Sequence, residues 1–435
     1  MLSHVFFYIV ASIHLSHKLF EQYAMTTFSH FRRSVRSFQF LQPCKYNVCT
    51  GLRSFLRNES SFVPKHVLIV AKLSRYYFEK LREPDLTEAQ LKQKLLERGS
   101  NYDAMLASHI ATKNVQHQVI ETLRKLNIEY KLINRQNLDQ SNFNWADLIL
   151  PIGGDGTFLL ASNLIFDSQK PIIGINSYPE WSEGFLMLPP KYTTRAPEIF
   201  EKLKAGHYRV IMRRRIRTTL CGDAIWEAPF HTHEKGRVSG GEKFYMQDMN
   251  KGPPNNLPKE RRLPWLALNE VFIAETLSAR TSDLLVKIDD EEKFHMLKSS
   301  GLCVSTGTGS TSWHKSINSV NSQIVRQILN LVGEKQDISK EEINKICNTF
   351  NSSLHFDAEE FKLCYAVRDM IVTDHWPIPK CFHSRGFCRT LTVRSQCFDG
   401  GLVLDGGIAV PFNFGATAVM EIHAEDSLRS LVLQD

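Results

Sequence analysis

The sequence predicts an α/β fold with two parts: a doubly wound parallel-sheet N-terminal domain, and after it a mainly antiparallel β-sandwich domain. The first observation is that short apolar runs alternate with helical patterns, which is typical of parallel sheets. The second is a change after residue 204, where strand-like runs follow one another with few helices between them. At 435 residues the chain is long enough for both domains.

The predicted first domain covers residues 64–192. Buried strands are expected at residues 66–73, 128–133, 147–152 and 171–176, and helices at residues 87–98 and 102–126; a further helix, at residues 194–204, is expected just after this domain. In sheets of this kind, ligands bind beyond the carboxyl ends of the strands. Functional residues are therefore expected just after the predicted strands.

The predicted β-rich domain covers residues 193–404, and residues 405–435 are expected to return to the first domain. Its strands are expected at residues 208–221, 265–275, 284–289, 302–305 and 390–393. Two insertions are expected within it. One is a Gly-, Pro- and Lys-rich loop at residues 226–262, and the other is a helical segment at residues 316–361.

The net charge of +7 is concentrated near the N-terminus. Residues 1–58 carry seven Lys or Arg against one acidic residue, Glu21, which leaves 46 basic and 45 acidic residues elsewhere. This near balance argues against a nucleic-acid partner. A later run of arginines predicts a charged, exposed strand, with a phosphate contact as the alternative. The run consists of Arg213, Arg214, Arg215 and Arg217.

Residues 1–58 are predicted to be a mitochondrial transit peptide. They are rich in Arg and Ser, poor in acidic residues, and amphipathic between residues 28 and 38. The apolar run at residues 5–13 is too short to span a bilayer, although it resembles the core of a secretory signal. Met25 is an alternative start. The nine cysteines include no Cys-x-x-Cys pair, so a zinc ribbon or disulfide framework is not indicated.

A glycine-rich loop separates the third predicted strand from a helix. It consists of Gly153, Gly154, Asp155, Gly156 and Thr157. N–H groups converge at such a helix start and favour a phosphate. Asp155 would repel that phosphate unless a metal or a transferable proton were present, so the loop favours phosphoryl transfer. A capped strand-to-helix turn is the alternative. The sequence has no Walker A motif and no Gly-x-Gly-x-x-Gly after the first strand, which disfavours a P-loop kinase and a dehydrogenase.

Two polar groups later in the chain are candidates for the rest of the site. Asn269 and Glu270 interrupt an apolar run, and burying an unpaired polar group costs about 1–3 kcal/mol, so each needs a partner. Ribose hydroxyls or a metal would suit Glu270. Residues 305–313 follow a strand and combine hydroxyl groups with glycines. This suits the sugar and phosphates of a nucleotide, with Trp313 able to stack on a base.

These motifs, in this order, resemble those of the NAD kinase family, and within it the mitochondrial enzymes of animals. Residues 153–157, Asn269-Glu270, residues 305–313 and Asp405-Gly406-Gly407 carry the resemblance, which covers residues 64–430. It implies transfer of the γ-phosphoryl group of ATP, or in some members of polyphosphate, to NAD. The acceptor would be the 2′-hydroxyl of the adenosine ribose, and the product NADP.

The resemblance also implies a site between the two domains and a role for each residue. Asp155 is the implied general base. The implied ATP phosphate-binding residues are Gly153, Gly154, Gly156 and Thr157, with Mg²⁺ bound through the phosphates. The implied NAD-binding residues are Phe185, Asn269, Glu270, Thr308, Gly309, Ser310, Thr311, Ser312 and Trp313. A homodimer in the mitochondrial matrix is implied as well, with the helices of residues 320–350 as a candidate dimer surface.

The sequence departs from the family pattern at four places. Ser299-Ser300-Gly301 stands for Gly-Asp-Gly, Thr306-Gly307 for Thr-Pro, Ser312-Trp313 for Ala-Tyr, and Asp405-Gly406-Gly407 for Asp-Gly-Gln. These changes concern contacts on the nicotinamide side and the choice between NAD and NADH. Two alternatives stay open. One is a lipid kinase of the diacylglycerol or sphingosine type, which shares the Gly-Gly-Asp-Gly-Thr string. The other is a non-catalytic NAD-binding regulator, which the Ser300 departure keeps open and the presence of Asp155 argues against.

Overall fold

A computed structural model describes residues 60–222, 225–232, 258–332, 338–376 and 382–434. The predicted transit peptide lies outside the described residues, as do residues 233–257 of the predicted loop. Within the described ranges, no helix has both the length and the apolar character needed to cross a membrane.

Strands and helices are numbered here in chain order. The strands are β1 His66–Ala71, β2 Glu129–Asn134, β3 Leu148–Gly153, β4 Pro171–Ile172, β5 Ile175–Asn176, β6 Tyr208–Arg213, β7 Ile216–Cys221, β8 Phe230–His231, β9 Glu260–Arg262, β10 Glu270–Glu275, β11 Ser282–Ile288, β12 His295–Ser299, β13 Gly301–Ser305, β14 Leu363–Arg368, β15 Arg385–Cys388, β16 Thr390–Ser395, β17 Gly400–Leu404, β18 Ile408–Pro411, β19 Thr417–Ile422 and β20 Leu428–Leu433. The helices are α1 Arg75–Arg82, α2 Glu88–Glu97, α3 Tyr102–Lys125, α4 Gln140–Trp145, α5 Asp155–Ser162, α6 Ala196–Ala205, α7 Trp313–Asn318, α8 Ser322–Val332 and α9 Lys340–Ser353.

The first sheet is mainly parallel and is covered on both faces. Its strand order is β2-β1-β3-β4-β20-β6, with β5 paired to β3, and β6 is antiparallel to β20. Side chains alternate along β1 because successive residues of a strand point to opposite faces. Leu68 and Val70 pack in the cluster that includes residues of α4 and α5, whereas Val67 and Ile69 pack with residues of α3 and α6. The predicted doubly wound sheet is confirmed.

Two antiparallel sheets form the remainder of the described fold. One has the order β15-β14-β13-β10-β17-β18-β8, and the other β12-β11-β16-β19-β7-β9. Both contribute to one hydrophobic cluster, for example through Val271 and Val304 from the first of them and Val286 and Val393 from the second. The predicted antiparallel β-rich part is therefore confirmed, and its large apolar cluster continues onto one face of the parallel sheet.

Helix starts have local causes that the sequence encodes. Thr87 caps α2 and Ser339 caps α9, and in both cases the residue three positions later, Gln90 or Glu342, completes a capping box. Helices α8 and α9 pack together around Ile343 and neighbouring apolar residues. The helices expected within residues 316–361 are present.

Two predicted strands are divided in the structure. Residues 171–176 form β4 and β5, because the Gly174 carbonyl accepts from the Leu188 N–H, outside the sheet. Residues 208–221 form β6 in the parallel sheet and β7 in an antiparallel sheet. The sheets therefore change at residues 214–215, whereas the predicted domain boundary was residue 193. The C-terminal segment also divides, since β18 and β19 belong to the antiparallel sheets and β20 to the parallel one.

The prediction of a charged, exposed strand for the arginine run was wrong. Arg215 is fully buried, and Arg217 pairs with Asp426 at 2.5 Å. The guanidinium of Arg215 is hydrogen-bonded to backbone carbonyls, including those of Ser162, the last residue of α5, and Ile165, three residues beyond it. These carbonyls are left over at the helix end and provide the partners that make a buried charge tolerable.

Candidate functional site

The glycine-rich loop lies where β3 ends and α5 begins. Gly153 is the last residue of β3, Gly154 is the N-cap of α5, and Asp155 is its first residue. A Cβ on Gly153 would overlap the Thr157 hydroxyl, and one on Gly154 would lie 2.8 Å from Ser182 Oγ, so both positions need glycine. The first N–H groups of a helix have no partner within the helix. The loop is therefore suited to an anion.

The carboxylate of Asp155 is held by the segment that follows β5. Its Oδ2 accepts from the backbone N–H of Phe185 at 3.1 Å, and its Oδ1 from that of Leu186 at 2.9 Å. Asn176 fixes this segment by donating to the Ser182 carbonyl at 2.9 Å. Asp155 is half-buried, so its carboxylate is oriented by the protein and still accessible. Phe185 meets Asp155 through its main chain, while its side chain is 58% exposed.

A cavity of about 300 Å³ opens beside the glycine loop, and part of its wall is basic. Its lining includes Gly153, Gly154, Lys72, Arg75, Asn101 and Trp181. Lys72 directly follows β1, and the protein around its ammonium group lowers its pKa by desolvation. Arg75 Nη2 lies 2.6 Å from Oε1 of the buried Glu79. Sequence analysis missed both cations. The sequence does contain one signal, the lysine directly after the first buried strand. Such a residue lies at the ligand-binding edge of the sheet, because parallel strands end at the same edge.

The Asn-Glu pair lies beside the hydroxyl-rich turn. Thr306 donates its backbone N–H to the Asn269 carbonyl at 3.0 Å and its hydroxyl to the Leu268 carbonyl at 2.6 Å. Gly309 packs against the same Asn269 carbonyl, which a Cβ would overlap. The strands that carry the two groups, β10 and β13, are hydrogen-bonded neighbours. The structure therefore brings these two predicted groups together.

The turn uses some of its hydroxyl groups internally. Thr308–Thr311 forms a single 3₁₀ turn, and Ser310 Oγ donates to the Gly307 carbonyl at 2.6 Å. Ser312 is hydrogen-bonded to the side chain of Glu270. Ser310 thus supports the shape of the turn, whereas Ser312 links the turn to the Asn-Glu pair.

Two carboxyl groups are enclosed at the start of β10. Asp405 accepts the backbone N–H groups of Leu268, Asn269 and Glu270 at 2.8, 2.7 and 3.2 Å. Burial raises the pKa of Asp405 to about 6, although these hydrogen bonds oppose the change. Burial also raises the pKa of Glu270 to about 8; the nearby charge of Asp405 adds to this, and the Ser312 hydrogen bond opposes it. Both acids therefore favour the protonated form more than an exposed carboxyl would.

Two oxygen atoms of the Asn-Glu pair lack partners. Asn269 Oδ1 and Glu270 Oε2 are buried, and neither has a hydrogen-bond partner in the described part of the chain. Buried polar atoms in native proteins are nearly always paired, so these oxygens are available to donors from a bound ligand or from water. Sugar hydroxyls and an adenine amino group are donors of this kind.

Trp313 extends the site along β10. Its ring packs edge-on against Phe272, with centroids 4.2 Å apart, and 43% of its surface remains exposed. Glu270 and Phe272 lie on the same face of β10 because side chains alternate along a strand. A cleft of about 490 Å³ opens at Trp313, with Arg368 on its wall. The aromatic ring is therefore available to a planar ligand group.

Arg213, the last residue of β6, links the two halves of the site. Its Nη1 lies 3.4 Å from Thr308 Oγ1 in the hydroxyl-rich turn. Burial lowers the pKa of Arg213, and the charge of Asp155 raises it, so Asp155 acts on this guanidinium. Arg213 therefore contacts the hydroxyl-rich turn and lies within electrostatic range of Asp155 in the glycine loop. From the sequence, this arginine was predicted to lie on an exposed strand, with a phosphate contact as the alternative, and it was not among the predicted site residues.

Comparisons with known proteins agree on one family. A profile of the ATP-NAD kinase N-terminal domain matches residues 67–179. The chain is 39% identical over 394 residues to the Homo sapiens protein named NAD kinase 2, mitochondrial, with 87% of this chain and 86% of that protein covered. It is 35% identical over 416 residues to the Xenopus tropicalis protein of the same name, with 89% and 95% covered. A crystal structure of yeast NADH kinase complexed with NADH aligns with a TM-score of 0.47 and 11% identity, covering 85% of this chain and 84% of that chain.

Membership of the family rests on these long alignments as well as on the motifs. The two relatives align along most of the chain, including both the glycine loop side and the β-rich side, and both are named as NAD kinases. This extent argues against the lipid-kinase alternative, which the glycine-rich string alone left open. The chain belongs to the NAD kinase family.

Proposed function

We propose that the chain transfers the γ-phosphoryl group of ATP to the 2′-hydroxyl of the adenosine ribose of NAD, with Asp155 as general base. NAD kinase activity comes with the family. The observation that carries the role of Asp155 is its half-buried carboxylate at the start of α5, fixed by two backbone N–H groups. A positioned general base typically contributes about 10²–10⁴-fold to the rate.

The glycine loop is the proposed binding site for the phosphates of ATP. The proposed phosphate-binding residues are Gly153, Gly154, Gly156 and Thr157. Unpaired N–H groups and the helix dipole both favour negative charge at the start of α5. Lys72 and Arg75 add positive charge in the adjoining cavity, and Glu79 limits the movement of Arg75. ATP, the phosphoryl donor, is therefore proposed to bind on the glycine-loop side of the site.

The Asn-Glu strand and the hydroxyl-rich turn are the proposed binding site for NAD. Asn269 Oδ1 and Glu270 Oε2 would accept hydrogen bonds from the adenosine part of NAD, since both are buried without a described partner. The other proposed contacts are Phe185, Thr308, Gly309, Ser310, Thr311, Ser312 and Trp313. Asp155 would take the proton of the 2′-hydroxyl as the new oxygen–phosphorus bond forms and ADP departs.

Mg²⁺ is proposed to enter with ATP. Among the described residues, no group of three or more His, Cys, Asp or Glu side chains could hold a metal ion. The ion is therefore proposed to bind through the phosphate oxygens of ATP, and no protein ligand is assigned to it. When bound, the ion would neutralise part of the charge on the donor phosphates.

A mitochondrial location is supported by relatives that carry this location in their names. We propose the matrix as the compartment, a transit peptide within residues 1–58, and a homodimer as the assembly. Helix α8 offers a dimer surface, because Ile328, Leu331 and Val332 are exposed apolar side chains on it. Neither a nucleic acid nor a membrane is a proposed partner.

The role of Asp155 is tested with Asp155→Asn in the purified protein. With NAD and Mg-ATP we expect kcat to fall by about 10²–10⁴-fold, because the general base is lost. NAD affinity, measured by calorimetry, should stay near the wild-type value. Asp85→Asn, at an exposed position far along the chain, is the control. Sphingosine and diacylglycerol offered in place of NAD should give no product. A variant that keeps wild-type kcat would refute the general-base role.

A further inference from the structure

The junction between β6 and β7 carries three consecutive arginines in different surroundings. Arg215 donates to several backbone carbonyls and is fully buried. Arg214 donates to the Glu359 carbonyl at 2.8 Å and to Ser427 Oγ at 2.7 Å. Arg213 makes one long contact, 3.4 Å to Thr308 Oγ1. Arg214 and Arg215 therefore have hydrogen-bond partners that belong to the fold, whereas Arg213 is held only by one long hydrogen bond.

The guanidinium of Arg213 has donors to spare. Its Nε atom is buried and has no hydrogen-bond partner within the described ranges. Within the described residues, no carboxylate oxygen lies within 4.0 Å of a guanidinium nitrogen of Arg213, so it has no ion-pair partner there. The charges of Asp155, Asp357 and Glu359 nevertheless raise its pKa. A buried donor without a partner is costly, and a guanidinium presents several donors in one plane. The natural partner for such a group is a bound anion with several oxygens.

The position of Arg213 decides which anion this is. Next to Arg213 lies Thr308, which begins the turn proposed to hold the sugar of NAD. Asp155 is close enough for its charge to raise the pKa of Arg213 against the effect of burial. The group that passes between these two places during the proposed reaction is the phosphoryl group itself.

We propose that Arg213 is a catalytic residue that binds the phosphoryl group during its transfer and then the 2′-phosphate of the product. This inference rests on the proposed function. The bond between the γ-phosphorus and the bridging oxygen to the β-phosphate breaks, and a bond from the 2′-oxygen to the γ-phosphorus forms. Asp155 takes the proton of the hydroxyl, and ADP leaves with the electron pair of the broken bond. Arg213 keeps its proton and donates hydrogen bonds to the non-bridging oxygens, whose charge it offsets.

The first test compares the binding of product and substrate. Arg213→Met should weaken the binding of NADP at least about tenfold and leave that of NAD nearly unchanged, because only NADP carries the 2′-phosphate. Isothermal titration calorimetry with each dinucleotide, without ATP, measures both. Arg209→Met is the matched control, since Arg209 is an exposed arginine of the same strand. Equal loss of both affinities, or of neither, would overturn the proposal.

The second test is kinetic. Arg213→Met should lower kcat by about 10²–10³-fold, as for the loss of one preorganised donor to a transition state, with a smaller effect on both KM values. Arg213→Lys keeps the charge but loses the planar fork, so an intermediate kcat is expected. If the methionine variant does not fold, the lysine variant decides the question by its NADP-to-NAD affinity ratio, which should fall. An unchanged ratio and an unchanged kcat in a folded variant would overturn the proposal.

These outcomes are distinct from failure of the proposed function. If the wild-type protein formed no NADP from NAD and Mg-ATP, the proposed function itself would be wrong. If the wild type is active and Arg213→Met discriminates between the two dinucleotides as the wild type does, only the role of Arg213 is wrong.

Discussion

The two sides of the site hold their carboxyl groups in opposite surroundings. On the glycine-loop side, Asp155 is half-buried and bonded to two backbone N–H groups at a helix start. On the Asn-Glu side, Glu270 is buried and the carboxyl group of Asp405 is enclosed, and burial raises their pKa values to about 8 and about 6. The difference teaches that access to water separates the roles of chemically similar side chains. The accessible acid is the one that we propose as the general base, whereas the enclosed acids are proposed to shape the NAD pocket.

The glycine-loop side depends on an anchor at the far end of α5. Arg215 donates to the carbonyls of Ser162 at 3.1 Å and Ile165 at 2.5 Å, and its Nε donates to that of Asp426 at 2.6 Å. Arg215→Met would leave the carbonyls of Ile165 and Asp426 buried without this donor, and the carbonyl of Ser162 with only the Ile165 N–H. We expect the free energy of unfolding, measured by urea denaturation, to fall by about 3–5 kcal/mol.

The exposed Arg209 again supplies the control for this measurement. Arg209→Met should change the free energy of unfolding by less than about 0.5 kcal/mol, as surface substitutions usually do. Similar free energies of unfolding for the two variants would mean that the buried guanidinium of Arg215 does not anchor α5. Burial would then not distinguish the contribution of Arg215 to stability from that of the exposed Arg209.

On the Asn-Glu side, Glu270 should make the free energy of unfolding depend on pH. The pKa of Glu270 is raised from 4.5 to about 8, so between these values the folded state binds more protons than the unfolded state. The free energy of unfolding therefore falls as pH rises through this window. Above pH 6 the contribution of Asp405, whose pKa is about 6, is mostly complete. Glu270→Gln should then remove most of the fall between pH 6 and pH 8.

Urea denaturation at several pH values measures this effect, which we expect to reach a few kcal/mol at most. The informative quantity is the difference between wild type and variant at each pH, since it cancels groups that the substitution leaves alone. Curves for the two proteins that run parallel from pH 6 to pH 8 would show that Glu270 does not titrate in this window.

Much of the fold could be predicted because local patterns encode it. After His66, the run that became β1 is apolar at every position, which indicates a strand buried on both faces, and Thr87 with Gln90 marks the start of α2. The division of residues 208–221 could not be predicted. It depends on the partners of Arg215, and these come from residues about 50 and about 210 positions away in the chain.

Candidate site residues could be predicted where a short stretch of consecutive residues forms a recognisable motif. They could not be predicted where residues distant in the sequence come together only in the folded chain. Asp155 stood out as a carboxylate within a glycine-rich loop, and the Asn-Glu pair because it interrupts an apolar run. Lys72 and Arg213 did not, since a single basic residue after a strand has many structural explanations. Only the folded chain places Arg213 beside Thr308.

The smallest expected effects come from two glycines, one on each side of the site. A Cβ on Gly309 would overlap the Asn269 carbonyl, whereas a Cβ on Gly156 meets nothing within 4 Å. Gly309→Ala should therefore lower the free energy of unfolding by about 1–3 kcal/mol and raise the KM for NAD, because the turn must move away from β10. Gly156→Ala should instead raise stability by about 0.4–1 kcal/mol, since it restricts the unfolded chain.

The kinetics of the same pair then separate the two sides. The space around Gly156 is where the phosphates of ATP are proposed to lie, so its alanine variant should raise the KM for ATP and leave the KM for NAD nearly unchanged. Steady-state assays with one substrate varied at a time measure both constants. If Gly156→Ala affected the KM for NAD and Gly309→Ala that for ATP, the two substrates would have been assigned to the wrong sides, because each added methyl group perturbs first the ligand that it touches.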